Sequence, residues 1–233
     1  MAFHFRQFDV EDQYSTMKVG TDAMLLGAWA CPGTALKILD IGTGCGVLAL
    51  MMAQKSDAII EAIDIDQLSV NEAQGNFNRS PWNNRLFAIH STLQAFTGNG
   101  QPDYDFIICN PPYFSNSLKS SSARKNSTRH DQLLSREELA QSVSKIMTPE
   151  GSFALILPAD VAEAFVVFCK MIGMYLRRSL IIYPKPAVLP TRILMEFTKS
   201  QCKYMGEIEL TILNFSGAFS AEYLALTSNF HNF

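Results

Sequence analysis

Four consecutive residues, Asn110-Pro111-Pro112-Tyr113, have the types and order needed to work on a planar amine. They close an apolar run, Phe106-Ile107-Ile108-Cys109, that reads as a buried strand. Proline has no N–H to donate, so two in a row end the ladder and turn the chain out of the sheet. The Asn110 side-chain oxygen and the Pro111 carbonyl then stand as two acceptors beside the aromatic face of Tyr113. Such a pair can take both N–H groups of an exocyclic amine and aim its lone pair at an alkyl donor. Positive charge growing on that nitrogen is stabilised by the same acceptors. The Tyr113 ring gives a flat stacking surface beside them for a planar target. Asn110, Pro111 and Tyr113 are therefore the expected catalytic residues.

Upstream lies a second constellation, Asp40-Ile41-Gly42-Thr43-Gly44-Cys45-Gly46. Gly42, Gly44 and Gly46 have no Cβ and let backbone approach a ligand closely. Their spacing is not the G-x-G-x-x-G of dinucleotide binders. The next apolar run ends in Ala62-Ile63-Asp64-Ile65-Asp66, which puts carboxylates where a ribose lies in a doubly wound fold. Asp64 is expected to accept from the ribose hydroxyls, and Asp66 to cap the helix that starts at Gln67.

The elements that must carry these residues alternate. Strands are expected over Leu36–Ile41, Ile59–Ile65, Leu86–Ile89, Tyr104–Cys109, Phe153–Leu157, Leu176–Tyr183 and Ile193–Thr198, with Ile208–Leu213 as a further one. Helices are expected over Val47–Gln54, Gln67–Asn78, Arg136–Met147, Ala159–Met171 and Ala221–Asn229, with a short helix or loop near Leu93–Phe96. Ser135 and Glu138 form a capping-box pattern at the start of the third of these helices. Near-continuous apolar strands separated by helices predict an α/β fold: a doubly wound, mostly parallel, seven-stranded sheet covered on both faces. No helix separates the last two of those seven strands, which predicts an antiparallel hairpin at one edge. The whole chain, 1–233, reads as one domain. Residues 1–35 form an N-terminal segment, 36–200 the core, and 201–233 a C-terminal strand and helix.

Composition narrows the class. Hydrophobic residues are 48% and charged residues 18% of the 233, ordinary for a soluble globular protein. The net charge of −3 gives no global attraction to nucleic acid, so a polyanion would need a local basic patch. The five cysteines are odd in number and widely spaced, which fits reduced thiols in the cytoplasm rather than disulfides or a metal site. No run reaches transmembrane length, and no signal peptide is evident. A monomer without metal is expected.

Taken together, the glycine turn, Asp64 and the Asn-Pro-Pro-Tyr turn resemble the motifs of class I S-adenosylmethionine-dependent methyltransferases, a Rossmann-like family. The Asn-Pro-Pro-Tyr turn is similar to that of enzymes acting on adenine N6, guanine N2 or glutamine N5. The segment Met17-Lys18-Val19-Gly20-Thr21-Asp22-Ala23-Met24-Leu25-Leu26-Gly27-Ala28-Trp29 resembles the entry segment of the bacterial tRNA1(Val) adenine-N6 methyltransferase family. Ser80-Pro81-Trp82, Leu189-Pro190-Thr191-Arg192 and Tyr223-Leu224-Ala225-Leu226-Thr227 resemble it too. The resemblance implies S-adenosyl-L-methionine as cofactor, tRNA as partner, and transfer to the adenine beside the anticodon. It implies that Lys18, Thr21 and Asp22 form a lid or helix cap over the cofactor, beside Asp40, Gly42, Gly44, Gly46, Asp64 and Asn110. Many such enzymes place an Asp after the third strand against the cofactor adenine. Here Thr92 stands there, and a Thr that caps a helix is the equal alternative.

Lys119, Arg124, Lys125, Arg129 and His130 crowd just after the catalytic turn, in a Ser-rich loop. Arg177, Arg178, Lys185 and Arg192 lie on the late hairpin and its loop. Basic residues beside the amine site suit phosphate contacts, and Lys119, Arg124, Lys125, Arg129 and Arg192 are the expected substrate contacts. Methylation of a glutamine side-chain amide, or nonenzymatic binding of cofactor or RNA, are the competing readings.

Overall fold

The computed structural model describes residues 2–98, 104–111, 134–201 and 205–231. Its central sheet has eight strands: β3 (Lys37–Ile41), β4 (Ile59–Asp64), β5 (Leu86–His90), β6 (Tyr104–Cys109), β7 (Met147–Pro158), β8 (Tyr175–Tyr183), β9 (Arg192–Thr198) and β10 (Glu207–Thr211). Their order is β10-β8-β9-β7-β6-β3-β4-β5. Only β9 runs against its neighbours, pairing antiparallel with β7 and with β8. The seven expected strands are present, and the α/β doubly wound class holds. The expected edge hairpin is covered, because β10 adds an eighth strand parallel to β8.

Side chains alternate across the strands to feed two cores. Ile38, Phe106, Ile108, Ala154 and Ile156 face one layer, with α1 (Thr21–Trp29), α2 (Val47–Lys55) and α3 (Gln67–Arg79) packed over it. Leu39, Ile41, Ile107, Phe153 and Leu155 face the other. That layer holds α4 (Leu93–Gly98), α5 (Arg136–Ile146) and α6 (Ala159–Met171). A strand apolar on both faces is stable only when helices cover both, which is why these runs read as parallel strands. The last helix, α7 (Ala221–Thr227), buries Tyr223 in the first core.

Local signals set several boundaries. Ser135 and Glu138 make the reciprocal capping box that opens α5. Asp66 accepts from Ser69 N at 2.9 Å and starts α3. Two features were not expected. A small antiparallel pair, β1 (Ala2–His4) and β2 (Asp9–Glu11), precedes the sheet. β7 begins at Met147, directly after α5, rather than at Phe153. The pairing with β6 jumps from Tyr104–Met147 to Phe106–Ser152, so Thr148–Gly151 bulge from the ladder.

The chain order reverses at β3, which lies between β4 and β6. In open α/β sheets the crevice beyond the carboxyl ends of two such strands is where ligands bind. β3 leads into the glycine turn and β6 into Asn110. No described helix is long and apolar enough to cross a membrane.

Candidate active site

The glycine turn is built so that its backbone, not side chains, faces the crevice. Gly42, Gly44 and Gly46 have φ of 70°, 56° and 86°, the left-handed region that favours glycine. Gly42 N and Thr43 N donate to Ile63 O at 2.9 and 3.0 Å, which ties the turn to β4. A Cβ on Gly46 would lie 2.5 Å from the Phe77 ring, so this glycine lets α3 pack against the turn. A Cβ on Gly42 would meet no atom within 4 Å. The space over Gly42 is thus open for a ligand.

Two carboxylates brace the turn. Asp40 is fully buried and its Oδ2 accepts from Thr43 Oγ1 at 2.6 Å. Burial pushes its pKa up to about 7, with Thr43 and the Ala49 amide offsetting part of that. Asp64 accepts from Gly44 N through Oδ2 and from Asp66 N through Oδ1, both at 2.8 Å. Its carboxyl is also raised by burial, against the pull of those amides. A carboxylate offers about four acceptor positions, so two remain for a ligand's hydroxyls. Asp66, not Asp64, is the helix cap.

Beyond β6, Asn110 is buried, and its Oδ1 has no hydrogen-bond partner among the described residues. An acceptor left in that state costs about 1–3 kcal/mol, a cost removed when a donor arrives. Ile41 pairs with Cys109, so Asn110 sits level with the start of the glycine turn. Pro111 is buried beside it. The Cys109 thiol is raised well above its ordinary value by burial and by Asp40, which makes it a packing group and not a nucleophile.

The other expected residues fall in three groups. Tyr113, Lys119, Arg124, Lys125, Arg129 and His130 lie outside the described residues. Thr92 accepts from Ala95 N at 3.1 Å, the geometry of an N-cap for α4. Thr21 opens α1, whose Gly20 cap has no side-chain bond. Lys18 donates through Nζ to the carbonyls of Asp12 and Gln13. Asp22 meets Arg192, with Nε 3.1 Å from Oδ2, so one expected cofactor residue and one expected RNA residue hold each other. Arg177 and Arg178 start β8, at the opposite end of the parallel strands from Asn110. Both pair with the buried Glu196, and Arg178 lies 4.0 Å from the centre of the Trp29 ring. Both guanidinium groups are thus engaged within the sheet, whereas Lys185 is exposed in the loop after β8.

Sequence reading missed the face of α3 that carries Ser69, Glu72 and Asn76. All three are buried polar groups. Glu72 accepts from Tyr14 N at 2.9 Å and Ser15 N at 2.7 Å. Ser69 Oγ accepts from Thr16 N at 3.2 Å. Asn76 accepts from Glu11 N at 3.0 Å and donates to Glu11 O and Cys45 O, both at 2.8 Å. The available signal was their spacing of three and four, which puts polar residues on the helix stripe shared with Ala73 and Phe77.

The chain resembles known proteins over nearly its full length. The family model described as methyltransferase small domain matches residues 14–134. A tRNA1(Val) (adenine(37)-N6)-methyltransferase from Phocaeicola vulgatus is 42% identical over 229 residues, covering 98% of this chain and 97% of the relative. One of the same description from Trichodesmium erythraeum is 36% identical, covering 98% and 97%. Among solved structures, a predicted O-methyltransferase from Agrobacterium tumefaciens has a TM-score of 0.66 at 19% identity, covering 90% of this chain and 96% of its own. A methyltransferase from Pyrococcus furiosus has a TM-score of 0.57 at 19% identity, covering 82% and 90%. The structural likenesses show the fold. The sequence matches carry the further conclusion that this chain belongs to the methyltransferase small domain family.

Proposed function

We propose that this chain transfers a methyl group from S-adenosylmethionine to the exocyclic N6 of a tRNA adenine, the one beside the anticodon of a valine tRNA. The observation that carries the proposal is the buried, unpartnered Oδ1 of Asn110 at the switch point of the sheet. The names of the full-length relatives support the choice of substrate. S-adenosylmethionine, when bound, supplies an electrophilic methyl group. The residues around the crevice suit it: open space over Gly42, and two free acceptor positions on Asp64 for ribose hydroxyls.

Asn110 Oδ1 and the Pro111 carbonyl accept the two N–H groups of the target amine. That removes the amine's preference for planarity and points its lone pair at the methyl group. Tyr113 stacks on the extruded base. Lys119, Arg124, Lys125 and Arg129 hold phosphates around the anticodon loop, and Arg192 joins them from the start of β9. Lys18, Thr21 and Asp22 close the N-terminal side of the cofactor site, and Thr92 borders its adenine end. The enzyme works as a monomer in the cytoplasm, where its substrate is.

The test is nucleoside mass spectrometry after incubating purified protein with S-adenosylmethionine and unmodified valine tRNA. N6-methyladenosine next to the anticodon is expected. Methylation of a glutamine peptide with no product in tRNA would overturn the substrate assignment.

A further inference from the structure

The strap that leads from β2 into α1 lies against the glycine turn. A Cβ placed on Gly44 would come within 3.5 Å of the Met17 carbonyl. The strap closes on itself: the Asp12 carboxylate accepts from Val19 N at 3.1 Å, and Ser15 Oγ donates to Met17 O at 2.9 Å. Among the described residues, its polar attachment to the rest of the molecule runs through the polar stripe of α3, while Val19 packs against the first core. Glu72 takes two consecutive strap amides, one on each carboxylate oxygen. Asn76 holds Glu11 on one side and the Cys45 carbonyl of the glycine turn on the other. One helix therefore sets the gap between strap and turn.

We infer that Glu72 is a positioning residue for the cofactor: it seats the strap against the glycine turn, and Ser69 and Asn76 extend the same clamp. The inference rests on the reading of that turn as the S-adenosylmethionine site. The chemistry favours a carboxylate at this position. Both of its oxygens only accept, and both strap groups facing it only donate. Glutamine has the same length but would turn its NH2 toward one of the two amides, donor against donor. Glu72 binds strap backbone, so the clamp does not depend on the side chains of Tyr14 and Ser15. It lies on α3, away from Asn110, so it can change cofactor binding without touching the amine-orienting groups.

Glu72→Gln tests this. Amide hydrogen exchange of residues 11–17 is expected to speed up at least tenfold, while exchange in β3, β4 and β6 is unchanged. Affinity for S-adenosylmethionine, measured by calorimetry, should fall about tenfold. In tRNA assays KM for the cofactor should rise by the same factor, with kcat at saturation kept within about twofold. Ser69→Ala, which removes the Thr16 contact together with the Ser69 Oγ bond to Asp66, should move strap exchange and affinity in the same direction by a smaller factor, and serves if the first variant does not fold. Faster strap exchange with unchanged cofactor affinity would make the clamp purely structural and overturn the inference. So would unchanged exchange. If wild-type protein does not bind S-adenosylmethionine at all, the cofactor reading falls first, and the inference with it.

Discussion

Asn110 is the residue on which the proposed chemistry turns. Its oxygen is buried and has no partner among the described residues, so a donor can be met with little reorganisation. Asn110→Ala is expected to lower kcat by about 10²–10³, the scale for losing one preorganised polar contact, with calorimetric cofactor affinity nearly unchanged. Wild-type turnover in this variant would show that the amine is oriented elsewhere. Asp40 makes a different demand. Its folded pKa of about 7 stands above the ordinary 3.8, so between those values the folded chain keeps a proton that the unfolded chain has released. Stability from this group is full below about pH 4 and is lost as pH rises through 7. Asp40→Asn should therefore gain on the wild type across that window, by up to about 1.4 kcal/mol per pH unit. Denaturant midpoints at a series of pH values check it; a constant difference between the two proteins would place the titrating group elsewhere.

Elements decide whether such residues are found by reading the chain. The glycine turn, the Asp66 cap and the Ser135–Glu138 box are local patterns, and each was legible because its partners lie within a few positions. Arg178 with Glu196, and Glu72 with the strap, join residues far apart in sequence, and no local period records them. The three-residue strands β1 and β2 are too short to show alternation. Thr148-Pro149-Glu150-Gly151 fall outside both the expected helix and the expected strand, yet they lie inside β7 as a bulge in its pairing with β6. Within the glycine turn, two substitutions should part company. Gly46→Ala puts a methyl group at positive φ and against the Phe77 ring, and should cost at least about 2 kcal/mol of stability in chemical denaturation. Gly42→Ala bears only the backbone strain, about 1–2 kcal/mol. Its methyl group enters open space over the turn, so its larger loss should be in cofactor affinity. If both variants lose stability alone, the space over Gly42 is not a binding site.

At the scale of the molecule, the chain is acidic overall, with a net charge of −3, yet its proposed substrate is a polyanion. Attraction must then be local. The crowding of Lys119, Arg124, Lys125 and Arg129 within twenty positions of Asn110 is the feature proposed to supply it. The double variant Arg124→Ala with Lys125→Ala should raise the tRNA KM. It should also flatten log affinity against log salt by about 0.7–0.9 per lost phosphate contact. An unchanged salt slope would count against these two residues as phosphate contacts.

The position of β9 has a consequence for how the molecule is made. β9 lies between β7 and β8 but follows both in the chain. During synthesis β7, α6 and β8 emerge first, and they already form a strand–helix–strand unit whose two strands run parallel. For on the order of a second, at ordinary elongation rates, β8 can pair directly with the open edge of β7. That arrangement would act as a kinetic trap, because it closes the slot that β9 must enter. Escape requires separating two apolar strands, so refolding of the full chain is expected to include a slow phase set by opening this slot and not by the cofactor half of the sheet.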